Sequence, residues 1–148
     1  EMKLNLGPAK GKDFANILGP YLVTPEELEH KSINTPSGKK YNLEMKCFLN
    51  GELLSKGNAK DMNWTFAEII ERASYGVDLY PGDIIGSGTV GTGCLFELNG
   101  TKKRETPNYS ERWIKEGDEI EMQIEGIGEI KNKIMKVATS HSILKLKK

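Results

Sequence analysis

Histidine and cysteine are scarce in this chain, which has only His30, His141, Cys47 and Cys94. Two cysteines without metal-ligand spacing make neither a disulfide framework nor a thiolate metal site, and the usage fits a reducing cytosol. Neither histidine has a partner at ligand spacing, and there is no HExxH helix and no GxSxG elbow. The two histidines therefore read as structural or solvent-exposed. Charge excess is absent too: 21 basic residues balance 21 acidic ones for a net charge of +0. That balance carries no nucleic-acid footprint, and the short basic runs Lys102-Lys103-Arg104 and Lys145 to Lys148 read as a solvated loop and tail. No apolar run approaches a membrane span and no secretory core opens the sequence.

Hydrophobic residues make up 37% and charged residues 28% of 148 positions, the composition of one globular domain. The stretch from Pro81 to Leu98 organises it, with Gly82, Gly86, Gly88, Gly91 and Gly93 interleaved with Thr89 and closed by Glu97. Such glycine density admits positive φ and lets a ligand approach main-chain N–H groups, so the stretch reads either as a binding loop or as a corner between two strands. Its expected strands are Asp83 to Ile85 and Cys94 to Leu98. Gly86-x-Gly88-x-x-Gly91 spells a dinucleotide fingerprint, but that motif requires a following helix, whereas Cys94 to Gly100 reads as strand and turn. No Gly-Lys-Ser/Thr triplet makes it a P-loop.

Elsewhere the pattern predicts a short strand over Tyr21 to Thr24, then one helical turn with Thr24 as N-cap and Pro25 first. A polar loop is expected from His30 to Lys40. Tyr41, Leu43, Met45, Cys47 and Leu49 alternate as in a half-buried strand, and Asn50-Gly51 turns it into Glu52 to Ser55. Thr65 and Glu68 stand at capping-box spacing, and Phe66, Ile69, Ile70 and Ala73 form a core-facing helical stripe that Gly76 ends. Asn99-Gly100 is expected to turn into a polar loop over 101–112. Beyond it, Glu119 to Glu125 and Glu129 to Val137 alternate as strands joined by Gly126-Ile127-Gly128. The fold class is α+β, mainly β, with one main helix and a sandwich or roll of strands. From the residues alone the site candidates are Lys12, Thr89 with its glycines, and Glu97, whose charge between Phe96 and Leu98 on a strand would need a partner. They suit a small polar or anionic ligand.

An ordered set of short motifs goes further: Leu6-Gly7-Pro8 with Lys12-x-Phe14-Ala15 and Pro20-Tyr21-Leu22-Val23, then Asn50-Gly51-Glu52, Tyr80-Pro81-Gly82-Asp83, Gly88-Thr89, Gly117-Asp118-Glu119-Ile120 and Gly126-Ile127-Gly128. Together they resemble the C-terminal portion of the fumarylacetoacetate hydrolase family, over nearly the whole chain. The resemblance implies a mixed β-sandwich roll and a Mg²⁺ or Ca²⁺ ion held by a Glu-x-Glu pair and an Asp that lie upstream of Glu1, so no metal ligand is expected within the chain. It further implies a piece of a protein roughly twice as long, inactive by itself, whose partners are its own N-terminal half, a homodimer mate and a small 2-oxo acid, with neither nucleic acid nor membrane.

In this resemblance Lys12 matches the lysine that counters enolate or oxyanion charge, with Lys10 as its neighbouring competitor. Asn16 stands where some relatives carry threonine. Thr89, with Gly88, matches the turn that contacts substrate oxygens, and Glu97 falls near the glutamate that activates water with an upstream histidine. The implied activity is metal-dependent hydrolysis of a C–C bond in an acylpyruvate or β-diketo acid. The alternatives are isomerisation, decarboxylation or dehydration of a 2-oxo acid on the same metal-enolate platform, or a non-catalytic binding or dimerisation module.

Overall fold

A computed structural model of the chain describes residues 16–136. Its strands are β1 (Ser32–Thr35), β2 (Gly38–Tyr41), β3 (Glu44–Leu49), β4 (Glu52–Asn58), β5 (Glu119–Ile124) and β6 (Gly128–Lys133), and its helices are α1 (Phe66–Ala73) and α2 (Leu95–Glu105). β1 and β2 form a hairpin, and the other four make a sheet in the order β4-β3-β5-β6. Every described pairing is antiparallel. The α+β, mainly β class holds.

The sheet grows from its turns. Asn50 and Gly51 take φ of 53° and 79°, the left-handed pair that a tight hairpin demands, and Leu49 pairs with Glu52 across them. Two residue pairs further along, the register slips: Cys47 faces Ser55 but Phe48 faces Leu53, leaving Leu54 as the extra residue of a bulge on β4. β5 then adds to the free side of β3, Leu49 against Ile120 and Met45 against Ile124. The turn at Gly126 brings that end of β5 so close to Leu28 that a Cβ on the glycine would stand 3.1 Å from Leu28 Cδ2. Leu28, Leu43 and Leu49 are the apolar side chains buried by these contacts.

α1 begins where its capping signal says. The Thr65 hydroxyl accepts from the Glu68 N–H at 3.2 Å, and the Glu68 carboxylate accepts from the Thr65 N–H at 2.8 Å. That backbone bond, with the Thr65 hydroxyl, holds the Glu68 carboxyl below its ordinary range.

Several expectations are corrected. Residues 30–40 are not a loop but a short 3-10 turn and the β1–β2 hairpin. Its strands are too polar to alternate, and the contact that sustains it is tertiary: Thr65 Oγ1 lies 2.9 Å from the Ser37 carbonyl, and a Cβ on Gly38 would stand 3.1 Å from that of Ala67. Tyr21 to Thr24 and Asp83 to Ile85 form no strand, and the strand predicted from Tyr41 is broken at Asn42-Leu43. The turn after Thr24 forms, with the Thr24 N–H donating to Glu27 Oε2 at 2.8 Å. The α1 stripe is only partly covered: Phe66 packs its ring 6.1 Å from that of Tyr41 yet is 41% exposed, and Ile70 is 53% exposed.

The largest correction is α2, which occupies the expected strand, turn and loop between Cys94 and Glu105. Asn99 explains it. Rather than turning, Asn99 is 3% exposed, donates to the Arg112 carbonyl at 2.8 Å and accepts from the Arg112 N–H at 3.0 Å and the Tyr109 hydroxyl at 3.2 Å. These bonds fasten the helix to the segment that follows it, and local turn preference yields to them. The dinucleotide reading, set aside because no helix was expected, therefore finds a helix after its glycines; it lacks the paired strand before them.

Candidate functional site

A cleft of about 880 Å³ opens beside the sheet. Met45 and Gly57 of neighbouring strands and Ile124 of β5 form its floor, Phe66 of α1 one side, and Gly88 and Thr89 of the glycine-rich segment another. The walls are largely apolar, with few polar groups converging on them, the usual make-up of a small-molecule site.

The glycine-rich segment reaches the cleft because β4 lets it in. A Cβ on Gly57 would stand 3.0 Å from the Val90 side chain, so only glycine allows Val90 to seat there. The chain then reverses, Gly93 N–H donating to the Val90 carbonyl at 2.9 Å, and Gly88 takes φ of 89° on the approach. Of the two readings left open for this stretch, binding loop or corner between strands, the second loses its flanking strands.

Asp61 and Lys56 line the cleft, and Lys56 reaches out of it to Glu44. Lys46 and then Lys56 clasp its carboxylate and hold its pKa at about 2. Among the described residues Lys56 is the one lysine or arginine that lines the cleft, and it is already paired. Burial pushes the Cys47 thiol up, which makes it a poor nucleophile.

The candidates drawn from the sequence are dispersed. Gly88 and Thr89 line the cleft. Glu97 stands exposed in the first turn of α2 and is not among the described residues lining the cleft. Its expected strand setting is overturned, and with it the argument that its charge is buried. Lys12 and Lys10 lie outside the described residues, as does His141. Among the described residues no group of three His, Cys, Asp or Glu side chains is placed to hold a metal ion, and no helix is long and apolar enough to cross a membrane. Sequence reasoning missed Ser55 and Thr92, whose hydroxyls meet at 2.9 Å, and Asn99; nothing in local sequence marks the first pair.

Comparison with known proteins identifies the class. The C-terminal family model of fumarylacetoacetate (FAA) hydrolase matches residues 1–135, and the chain belongs to that family. A mitochondrial oxaloacetate tautomerase of Bos taurus is 37% identical over 127 residues, which is 84% of this chain and 34% of that protein. Maleylpyruvate hydrolase from Sphingobium sp. SYK-6 superimposes with a TM-score of 0.54 at 26% identity, over 79% of this chain and 34% of that one. The same enzyme in complex with manganese(II) and pyruvate gives a TM-score of 0.52 at 25% identity, with the same coverage. The chain thus spans about a third of the length of these relatives. A hydrolase or isomerase role is the family's, and the fold described here is the family's fold.

Proposed function

We propose that this chain supplies the substrate-contacting wall of an enzyme that acts on a small 2-oxo acid through its enolate. The observation that carries the reading is the place of Gly88 and Thr89 on the wall of the cleft. Thr89 would donate its hydroxyl to a substrate oxygen, and the apolar floor would exclude water and strengthen that bond. Lys12 would counter the negative charge that develops on the enolate oxygen. Keto–enol isomerisation is the first reading, because the tautomerase relative is more similar in sequence than the hydrolase.

Hydrolysis of a C–C bond in an acylpyruvate is the second reading, favoured by the maleylpyruvate hydrolase likeness. It asks Glu97 to activate water together with a base from outside this chain, and the exposed first turn of α2 leaves that carboxylate open to such a partner. Mg²⁺ or Ca²⁺ belongs to both readings. No cluster of described residues fits such an ion, so its ligands would come from an N-terminal part of the same polypeptide. A homodimer and a cytosolic setting complete the proposal.

The test is a product assay on the full-length polypeptide. Oxaloacetate and an acylpyruvate are each supplied with Mg²⁺, following enol absorbance and pyruvate release. Accelerated ketonisation of oxaloacetate without pyruvate release supports the first reading, and release of pyruvate and the matching carboxylic acid in equal amounts from the acylpyruvate supports the second; the absence of both outcomes would sink both readings.

A further inference from the structure

We infer that Ser55 and Gly57 of β4, acting with Thr92, are positioning residues that latch the glycine-rich segment and so set Thr89 in the cleft. This rests on the reading that Thr89 meets the substrate. Ser55 and Gly57 lie two residues apart and so share a face of β4. The bulge at Leu54 shifts that face into register with Cys47 and Met45. From this face Ser55, 6% exposed, places its Oγ 2.9 Å from Thr92 Oγ1, and Gly57 receives the Val90 side chain.

Thr92 bears the clearest mark of constraint. Its φ is 72°, a conformation a β-branched residue adopts only when its surroundings hold it there. The Ser55 hydroxyl is such a hold. Between the two anchors the chain makes its Val90–Gly93 reversal, so tight that a Cβ on Gly93 would stand 2.9 Å from the Val90 carbonyl oxygen and 3.0 Å from Thr89 Cβ. Thr89 directly precedes one anchored residue, and its Cβ closes on Gly93, the residue that follows the other. Its place on the cleft wall follows from contacts made on β4: the Gly57–Val90 contact at the cleft itself and the Ser55–Thr92 bond between residues that do not line it.

The experiment compares Ser55→Ala, Thr92→Ala and Thr92→Ser in the full-length polypeptide by amide hydrogen exchange and by steady-state kinetics. Ser55→Ala and Thr92→Ala should each speed exchange over residues 88–93 about tenfold, the size of one lost hydrogen bond, while β3 and β5 keep their protection. KM should rise severalfold with kcat little changed, and Thr92→Ser should restore both. Unchanged exchange over 88–93, or a rise spread evenly over the sheet, would overturn the latch and reduce Ser55 to a satisfied core hydroxyl. Local exchange that rises while KM stays fixed would keep the latch and remove Thr89 from the substrate. An inactive wild-type polypeptide would defeat the functional reading, with exchange still deciding the latch.

Discussion

Asn50 and Asp118 join two turns 68 residues apart: Asn50 Nδ2 donates to Asp118 Oδ1 at 2.9 Å, and the Glu119 N–H donates back to Asn50 Oδ1 at 2.8 Å. The other Asp118 oxygen accepts the Lys115 N–H at 2.7 Å. Asn50's amide, and then the Lys115 N–H, hold the Asp118 carboxyl below its ordinary range. One asparagine thereby shapes the β3–β4 turn and delivers β5 to β3.

Replacing Asn50 separates those two roles. Asn50→Gly should keep the turn and the Asn50 N–H bond to the Glu119 carbonyl but lose the side-chain bonds to Asp118 and Glu119, whereas Asn50→Ala must also enter the left-handed region at φ 53°, which costs a residue with a Cβ about 1–2 kcal/mol. Urea midpoints should fall in the order wild type, Asn50→Gly, Asn50→Ala. Equal midpoints for the two variants would show that the turn tolerates a Cβ.

Thr65 is 1% exposed and caps α1 while touching Ser37, so Thr65→Ala should cost about 1 kcal/mol of stability and Thr65→Ser much less. Thermal unfolding of the two variants checks this. An alanine variant as stable as wild type would mean that the hairpin contact does not depend on the cap.

The Glu44 carboxylate sets an acid limit. Its pKa is depressed from 4.5 to about 2, so its contribution is fully present above pH 4.5 and drains away as pH falls toward 2. Asp118 works in the same direction. Glu44→Gln should lower the urea midpoint at pH 7 and flatten its decline between pH 5 and pH 3 relative to wild type. A wild-type midpoint that rises on acidification through that range would contradict the pairing with Lys46 and Lys56.

The two lysines of the N-terminal segment should differ. Lys12→Met should lower kcat by about a hundredfold, as removal of a charge aimed at an oxyanion does, while Lys10→Met should leave it within about twofold. Steady-state rates on the substrate found in the product assay decide. The reverse ranking would move the role to Lys10.

The legible parts of the fold were those whose signal is local. Asn50-Gly51 and the Thr65/Glu68 box each carry their instruction within a few residues and formed as read; β5 formed as a strand, but its burial does not alternate and Met122 stands exposed. The β1–β2 hairpin and α2 take theirs from elsewhere, from Thr65 and from the Arg112 backbone. A fainter signal for α2 was present, since Glu97 lies in its first turn and Lys102, Lys103 and Arg104 in its last, the polarity that a helix dipole favours. In the site, Thr89 could be picked out by its glycines. Ser55 could not, because its role depends on a bulge and on a residue 37 positions away.

Enolisation is the central claim, and proton–deuterium exchange at C3 of a 2-oxo acid, followed by NMR in D₂O with the full-length polypeptide, tests it most directly. The account predicts exchange well above the buffer rate with Mg²⁺ or Mn²⁺, abolished by chelation and weakened about tenfold by Thr89→Ala, which removes one hydrogen bond to the substrate. Exchange at the buffer rate, for oxaloacetate and acylpyruvates alike and with every divalent ion supplied, would contradict it.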